Sequence, residues 1–160
     1  AGGRANGAQV HDCYLREKSA CGAAGVDDTS IPSLNIAIVD TFRGHFENAE
    51  QRFRQLASTF QAEDSGAYLA AVKLGLAACA AALQDWEAWR GRIGSAEELL
   101  EQHSYRFEDH ALLAERAADL AAQQDMQQEA RQADEIAAEL WEQLGRDDRA
   151  AEASARADDR

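Results

Sequence analysis

Gly44-His45-Phe46 returns as Gln84-Asp85-Trp86 and again as Gln124-Asp125-Met126, the triplets standing 40 residues apart. Each is flanked on both sides by helical periodicity. Before the first, Leu34, Ile38 and Phe42 recur every four residues; after it, Phe46, Ala49, Phe53, Leu56 and Phe60 mark one face of a second helix. A glycine closing a helical pattern commonly takes the left-handed conformation that stops it. Each triplet therefore reads as the turn between two helices, and the chain as one unit used three times.

The blocks also align column by column. Seven residues before each turn stands Ala37, Ala77 or Ala117, and two after its first residue comes a bulky one, Phe46, Trp86 or Met126. Twelve after come Leu56, Ala96 and Ile136; sixteen after come Phe60, Leu100 and Leu140. Small residues let the second helix approach, and large ones fill the space between. A helical hairpin buries only part of its apolar face, and stacking hairpins completes the core.

Ser30 before Ile31-Pro32 reads as an N-cap with proline in the first turn. Helices are expected over about 31–43, 46–60, 67–83, 86–101, 107–122 and 126–144. Gly145 ends the sixth, and Asp147 or Asp148 caps a last short helix. The repeats are thus 31–65, 66–105 and 106–145, followed by a terminal helix, in a domain spanning 31–160. Residues 1–30 stand apart: 9–20 reads as the second helix of a truncated preceding repeat, and 22–30 as a loop. Without an initiator Met or an apolar signal core, the chain reads as cut from something longer.

Composition agrees with helix throughout. Of 160 residues one is proline, Pro32, and beyond residue 66 the strong helix formers Ala, Glu, Gln, Leu and Arg dominate. The formal net charge of −13 disfavours nucleic acid as a partner. Residues 101–160 carry much of it, 16 Asp/Glu against 7 Arg. No run of about 18 apolar residues exists, so no membrane insertion is expected. Cys13, Cys21 and Cys79 are odd in number and irregularly spaced, which argues against a disulfide framework and for a cytoplasmic setting.

In these features the chain resembles the tetratricopeptide repeat family in a long form of about 40 residues. The resemblance rests on the small residues Ala37, Ala77 and Ala117, on the turn, and on the bulky residue after it. In the first block Gly44, Phe46, Ala49 and Phe53 match the family's Gly-x-Tyr, Ala and aromatic positions. Trp89 and Glu129 depart from the small residue at Ala49, and the proline that often closes the unit is missing. The stretch 111–145 is also similar in style to C-terminal regions of large bacterial signalling proteins, such as serine/threonine kinases and ATPase-type regulators. The resemblance implies an all-α right-handed superhelix, an α-solenoid of about three helical hairpins. It also implies a platform for proteins or peptides, whose concave face is lined by the first helix of each hairpin. Carried over by position, that face holds Leu34, Ile38, Thr41 and Phe42, then Leu74, Ala78 and Ala81, then Ala114 and Ala118. Apolar and almost uncharged, it would receive an apolar helix, of a partner or of the parent chain. If the register is off by one, the same residues are core.

Chemistry-bearing residues give no competing pattern. His11, Asp12, Cys13 and Cys21 fit no tight zinc spacing. His103 and His110, seven apart, read as surface histidines near a helix end. Cys79, among alanines, reads as a small core residue. Glu97-Glu98 and Asp147-Asp148 are adjacent in sequence, so each pair points to different sides of a helix. Trp86 and Trp89 read as core filling at a hairpin junction. The expectation is a non-catalytic interaction scaffold, with no metal and no cofactor, in a larger bacterial regulator. The rivals are a small helical ligand-binding or enzymatic bundle, and a homo-oligomerisation module joined through uncapped terminal repeats.

Overall fold

A computed structural model describes residues 29–160. They form seven α-helices: α1 (Ser30–Arg43), α2 (Phe46–Ala62), α3 (Gly66–Ala82), α4 (Trp86–Gln102), α5 (Glu108–Gln123), α6 (Gln127–Gln143) and α7 (Asp147–Asp159). The described chain is all-α, as the composition predicts. Thr29 rather than Ser30 holds the first N-cap position. No helix among the described residues is long and apolar enough to cross a membrane.

Five of the six junctions close alike. Gly44, Asp64, Gln84, Asp125 and Gly145 all have positive φ, between 55° and 85°. The next residue then donates its N–H to the carbonyl five positions back. The bonds are His45 to Asp40, Ser65 to Phe60, Asp85 to Ala80, Met126 to Ala121 and Arg146 to Trp141, at 2.8–3.0 Å. This left-handed C-terminal closure satisfies carbonyls that the helix end would leave bare. It also brings the next helix in at once, so that it packs back on its predecessor. Gly44 and Gly145 adopt the conformation freely, whereas a non-glycine residue there costs about 1 kcal/mol. At Asp85 the side chain adds an N-cap, accepting from the Ala88 N–H at 3.1 Å.

The left-handed residues correct one detail of the sequence reading. Gly44 and Gln84 are 40 apart, but Asp125 lies 41 beyond Gln84. Met126 is accordingly the N-cap of α6, and Gln127 is its first residue. In this register Ala118, not Ala117, aligns with Ala37 and Ala77, and Ala130 recovers the small position of Ala49. Trp141 falls in line with Phe60 and Leu100, and all three are buried. Two columns become mixed: Asp134 takes the place of Phe53 and Ile93, and Glu115 that of Leu34 and Leu74.

α3 sits at the centre, packed against α1, α2, α4 and α5. From Ala70 to Ala81 every residue except Lys73 is buried. Alanine makes this possible by letting neighbours close in on all sides. Gly75 takes it furthest: a Cβ there would lie 2.3 Å from the Phe53 ring of α2. Beyond this centre α6 packs on α5, and α7 on α6. The helix-to-helix core is continuous from Leu34 to Ala153.

The junction between α4 and α5 differs. α4 ends in an extended His103 rather than a left-handed residue. Arg106 supplies what the closure would have supplied, donating to the carbonyls of Leu100, His103 and Tyr105. Its Nε donates to Gln143 Oε1 at 2.7 Å, tying the connection to α6.

Candidate interaction surface

Of the nine residues expected to line a groove, the structure buries eight. Leu34, Ile38 and Thr41 of α1, Leu74, Ala78 and Ala81 of α3, and Ala114 and Ala118 of α5 all belong to the chain's own interior. The cause is the slimness of α3, over which α1 and α5 close. Arg116 of α5 brings its Nε to 3.4 Å from the Thr41 carbonyl. The Thr41 hydroxyl is itself occupied, donating to the Ala37 carbonyl at 2.8 Å. Phe42 alone of the nine is exposed, at 45 %.

What Phe42 belongs to is a surface at the turn ends of α1 and α3. The Arg116 guanidinium stands 5.9 Å from the Phe42 ring centre and 5.7 Å from that of Phe46. Phe46 in turn borders a shallow depression of about 280 Å³, with Gly44, His45, Glu47, Asn48 and Leu83. Leu83, the C-cap residue of α3, is 43 % exposed. His45 Nδ1 lies 3.5 Å from Asp40 Oδ1, at the edge of the same turn. Two aromatic rings, a leucine and a guanidinium can bury an apolar side chain beside a carboxylate.

A second surface lies where α2 meets α3 and α4 meets α5. Phe60 stacks on Tyr68 with ring centres 5.4 Å apart, Tyr68 meets Phe107 at 5.4 Å, and Phe107 meets Tyr105 at 5.9 Å. Tyr105 is 60 % exposed. With His103, Ser104 and the start of α3 from Ser65 to Tyr68, it borders a depression of about 290 Å³. His103 closes tightly over Gly66, where any Cβ would collide with the imidazole.

His110, expected at the surface, is fully buried behind this shelf. It occupies the third position of α5, so its ring turns back over the helix start. Nδ1 accepts from the Phe107 N–H at 3.2 Å, and Nε2 lies 2.7 Å from the Ala67 carbonyl. The first bond needs a bare Nδ1, so Nε2 carries the proton and donates. Burial, helped by nearby Arg106, lowers the pKa of this imidazole to about 4. His110 is a neutral clamp between α5 and α3.

The remaining titratable groups are scattered. Burial pushes the Cys79 thiol up to about 12, despite a hydrogen bond with Thr41 that works the other way. Burial likewise raises the carboxyls of Glu97, Asp109 and Asp119. Trp89 is buried and Trp86 half-buried, their rings 6.4 Å apart. Among the described residues no three His, Cys, Asp or Glu side chains converge as a metal site would require. His11, Asp12, Cys13 and Cys21 lie outside the described residues.

Sequence reasoning missed Arg116, Leu83 and Tyr105. Arg116 was hidden by the third block's shifted register, and Leu83 by its place at the end of a buried helix. Tyr105 sits in a connection without periodicity, where only its size among polar neighbours marked it. Comparison with protein-family models, curated proteins and solved structures finds no match.

Proposed function

We propose that this chain is a non-catalytic protein-interaction scaffold of the tetratricopeptide-like kind. On this reading the helix pairs are hairpins stacked into a right-handed superhelix, serving as a regulatory part of a larger signalling protein. The common closure at Gly44, Gln84 and Asp125 supports the repeat, as do the shared buried columns. So do the ties between alternate helices. Arg92 of α4 meets Glu50 of α2 at 2.8 Å, and Arg90 of α4 meets Glu129 of α6 at 3.0 Å.

The observation that carries an interaction role is the Phe42–Phe46–Leu83 surface around Arg116. It is open, apolar at its centre and rimmed by charge, the usual anatomy of a contact anchored by a few residues. A partner would bring apolar side chains onto Phe42 and Leu83 and a carboxylate to Arg116. The rigid helices hold these anchors at fixed spacing, so binding would order few groups.

The test uses the immobilised full chain and its Phe42→Ser/Leu83→Ser variant on lysate of the source organism. The reading expects one protein recovered reproducibly by the parent chain and lost, at unchanged Tm, by the variant. Equal recovery by both chains would remove the anchor role. A dimeric mass in light scattering that the variant reduces to a monomer would make the partner a second copy.

A further inference from the structure

The structure assigns α7 a role that its neighbours do not share. We propose that α7 is a charge-latched helix, and that its seat on α5 and α6 accepts an arginine-bearing helix in its place. The inference goes beyond the interaction surface at Phe42 and does not depend on it.

The case begins with the two places where the same join is made. α2 hands over to α3 through left-handed Asp64, and α6 to α7 through left-handed Gly145. Matching the two turns sets Phe60 against Trp141, Phe53 against Asp134, Tyr68 against Arg149, and Gly75 against Arg156. At the first join the contacts are apolar: Phe60 stacks on Tyr68, and the tip of the Phe53 ring closes on Gly75. At the second, every one is ionic or cationic. Arg149 sits 4.2 Å from the Trp141 ring centre. Arg156 Nε donates to Asp134 Oδ1 at 3.1 Å, and Arg160 Nε to Asp134 Oδ2 at 3.2 Å.

α5 contributes in the same sense. Its Glu115, in the column of Leu34 and Leu74, accepts from Trp141 Nε1 at 2.9 Å. It accepts also from Arg149 at 3.0 Å and from Arg156 at 2.9 Å. Asp119 lies 3.8 Å from Arg160. Among the described residues, none of these three carboxylates has a cationic partner outside α7 and its C-cap residue Arg160. Asp134 is fully buried beneath two arginines. α7 itself buries only Ala153 and Ala157.

Added salt does not weaken apolar burial, whereas it screens charges to the extent that solvent reaches them, and Arg149, Arg156 and Arg160 are 30, 34 and 22 % exposed. α7 is therefore the layer that ionic strength loosens first. Its departure opens Glu115 and Asp134 to water beside the already exposed Asp119, and leaves an acidic trough floored by an indole. The helix that fits this trough carries arginines at i, i+7 and i+11 with alanines at i+4 and i+8, the pattern of Arg149, Ala153, Arg156, Ala157 and Arg160. Arginine suits the site because its fork can serve two carboxylates at once and its plane can stack on Trp141.

Two measurements test the proposal. In the first, hydrogen exchange is followed on the full chain between about 50 mM and about 500 mM NaCl. The latch predicts that α7 amides exchange faster than those of α5 and α6 and accelerate on the order of tenfold with salt. In step with the rest of the molecule at both salts, they would overturn it. The second uses a labelled peptide of residues 145–160 and a control with its arginines changed to glutamine. The Arg156→Gln/Arg160→Gln chain, whose seat is weakly held, should bind the arginine peptide at least about tenfold more tightly than the parent chain does. Equal binding of the two peptides to that variant refutes the receptor half of the proposal. If the variant does not fold, the exchange measurement and the parent chain's preference between the peptides decide.

Discussion

Acid should weaken this protein through His110, in a window set by that one imidazole. The ring is neutral in the fold because burial disfavours its cation, with a pKa of about 4 against an ordinary 6.5. The unfolded chain therefore takes up the proton first. Unfolding gains a proton as pH falls below about 6.5, so the stability present above that value is lost progressively until pH nears 4. Between about pH 7.5 and about pH 5 the loss comes to about 2 kcal/mol, and the full shift corresponds to about 3 kcal/mol. For a chain of this size 2 kcal/mol lowers Tm by roughly 6 °C. Asp109 and Asp119, raised by burial, act in the opposite sense, because their protonated forms are favoured in the fold. Glu97, raised by burial as well, acts with them, and because all three carboxyls are shared by the parent and a His110 variant, the difference between the two chains isolates the imidazole's share. Thermal unfolding followed by circular dichroism at the two pH values measures the effect, with His110→Gln as control. The variant loses at least one bond to Phe107 or Ala67 and should be less stable at pH 7.5 by about 1–3 kcal/mol. Its Tm should nevertheless lose roughly 6 °C less than the parent's between the two pH values. A variant with the parent's pH slope would place the sensitivity elsewhere and refute the reasoning.

Four further substitutions separate glycines and left-handed residues by their surroundings. Gly75→Ala drives a methyl into the buried Phe53 ring and should cost about 1–3 kcal/mol in urea unfolding. Gly91→Ala meets nothing within 4 Å and should stabilise α4 by about 0.5–1 kcal/mol. At Gln84, held at φ 59°, a change to Gly should raise stability by up to about 1 kcal/mol, and Asp125→Gly should do likewise. Cys79, buried and with its thiol pushed up to about 12, should resist maleimide at pH 8 in the native chain and react once unfolded, as peptide mass spectrometry would show.

The helical architecture was legible because its signals are local and repeated. Gly44 announced its own conformation, and the spacing of Leu34, Phe53, Leu56 and Phe60 exposed the buried faces before any packing was known. The groove was not legible, for a geometric reason. One residue is about 100° of rotation around a helix. The turn at Asp125 lies 41 rather than 40 residues beyond its predecessor, which puts Glu115 in the column that a 40-residue spacing assigns to Ala114. Nor does sequence say how closely helices approach. The alanines of α3 say that neighbours can come close but not which ones, and in the structure α1 and α5 close over it.

The acidic late part of the chain shows the complementary failure. Read by composition, the acids after residue 101 are a solvated surface, and most of them are. Glu115 and Asp134 differ because they stand in columns that are apolar in earlier blocks, where burial without a cation would be destabilising by several kcal/mol. Their burial therefore requires arginines at matching positions, and Arg149 and Arg156 of α7 with its C-cap Arg160 supply them. A charged residue in an apolar column is thus evidence about its neighbour in the next layer. Aligned at 41 rather than 40, the third block would have pointed from Asp134 to an arginine-bearing helix before its packing was known.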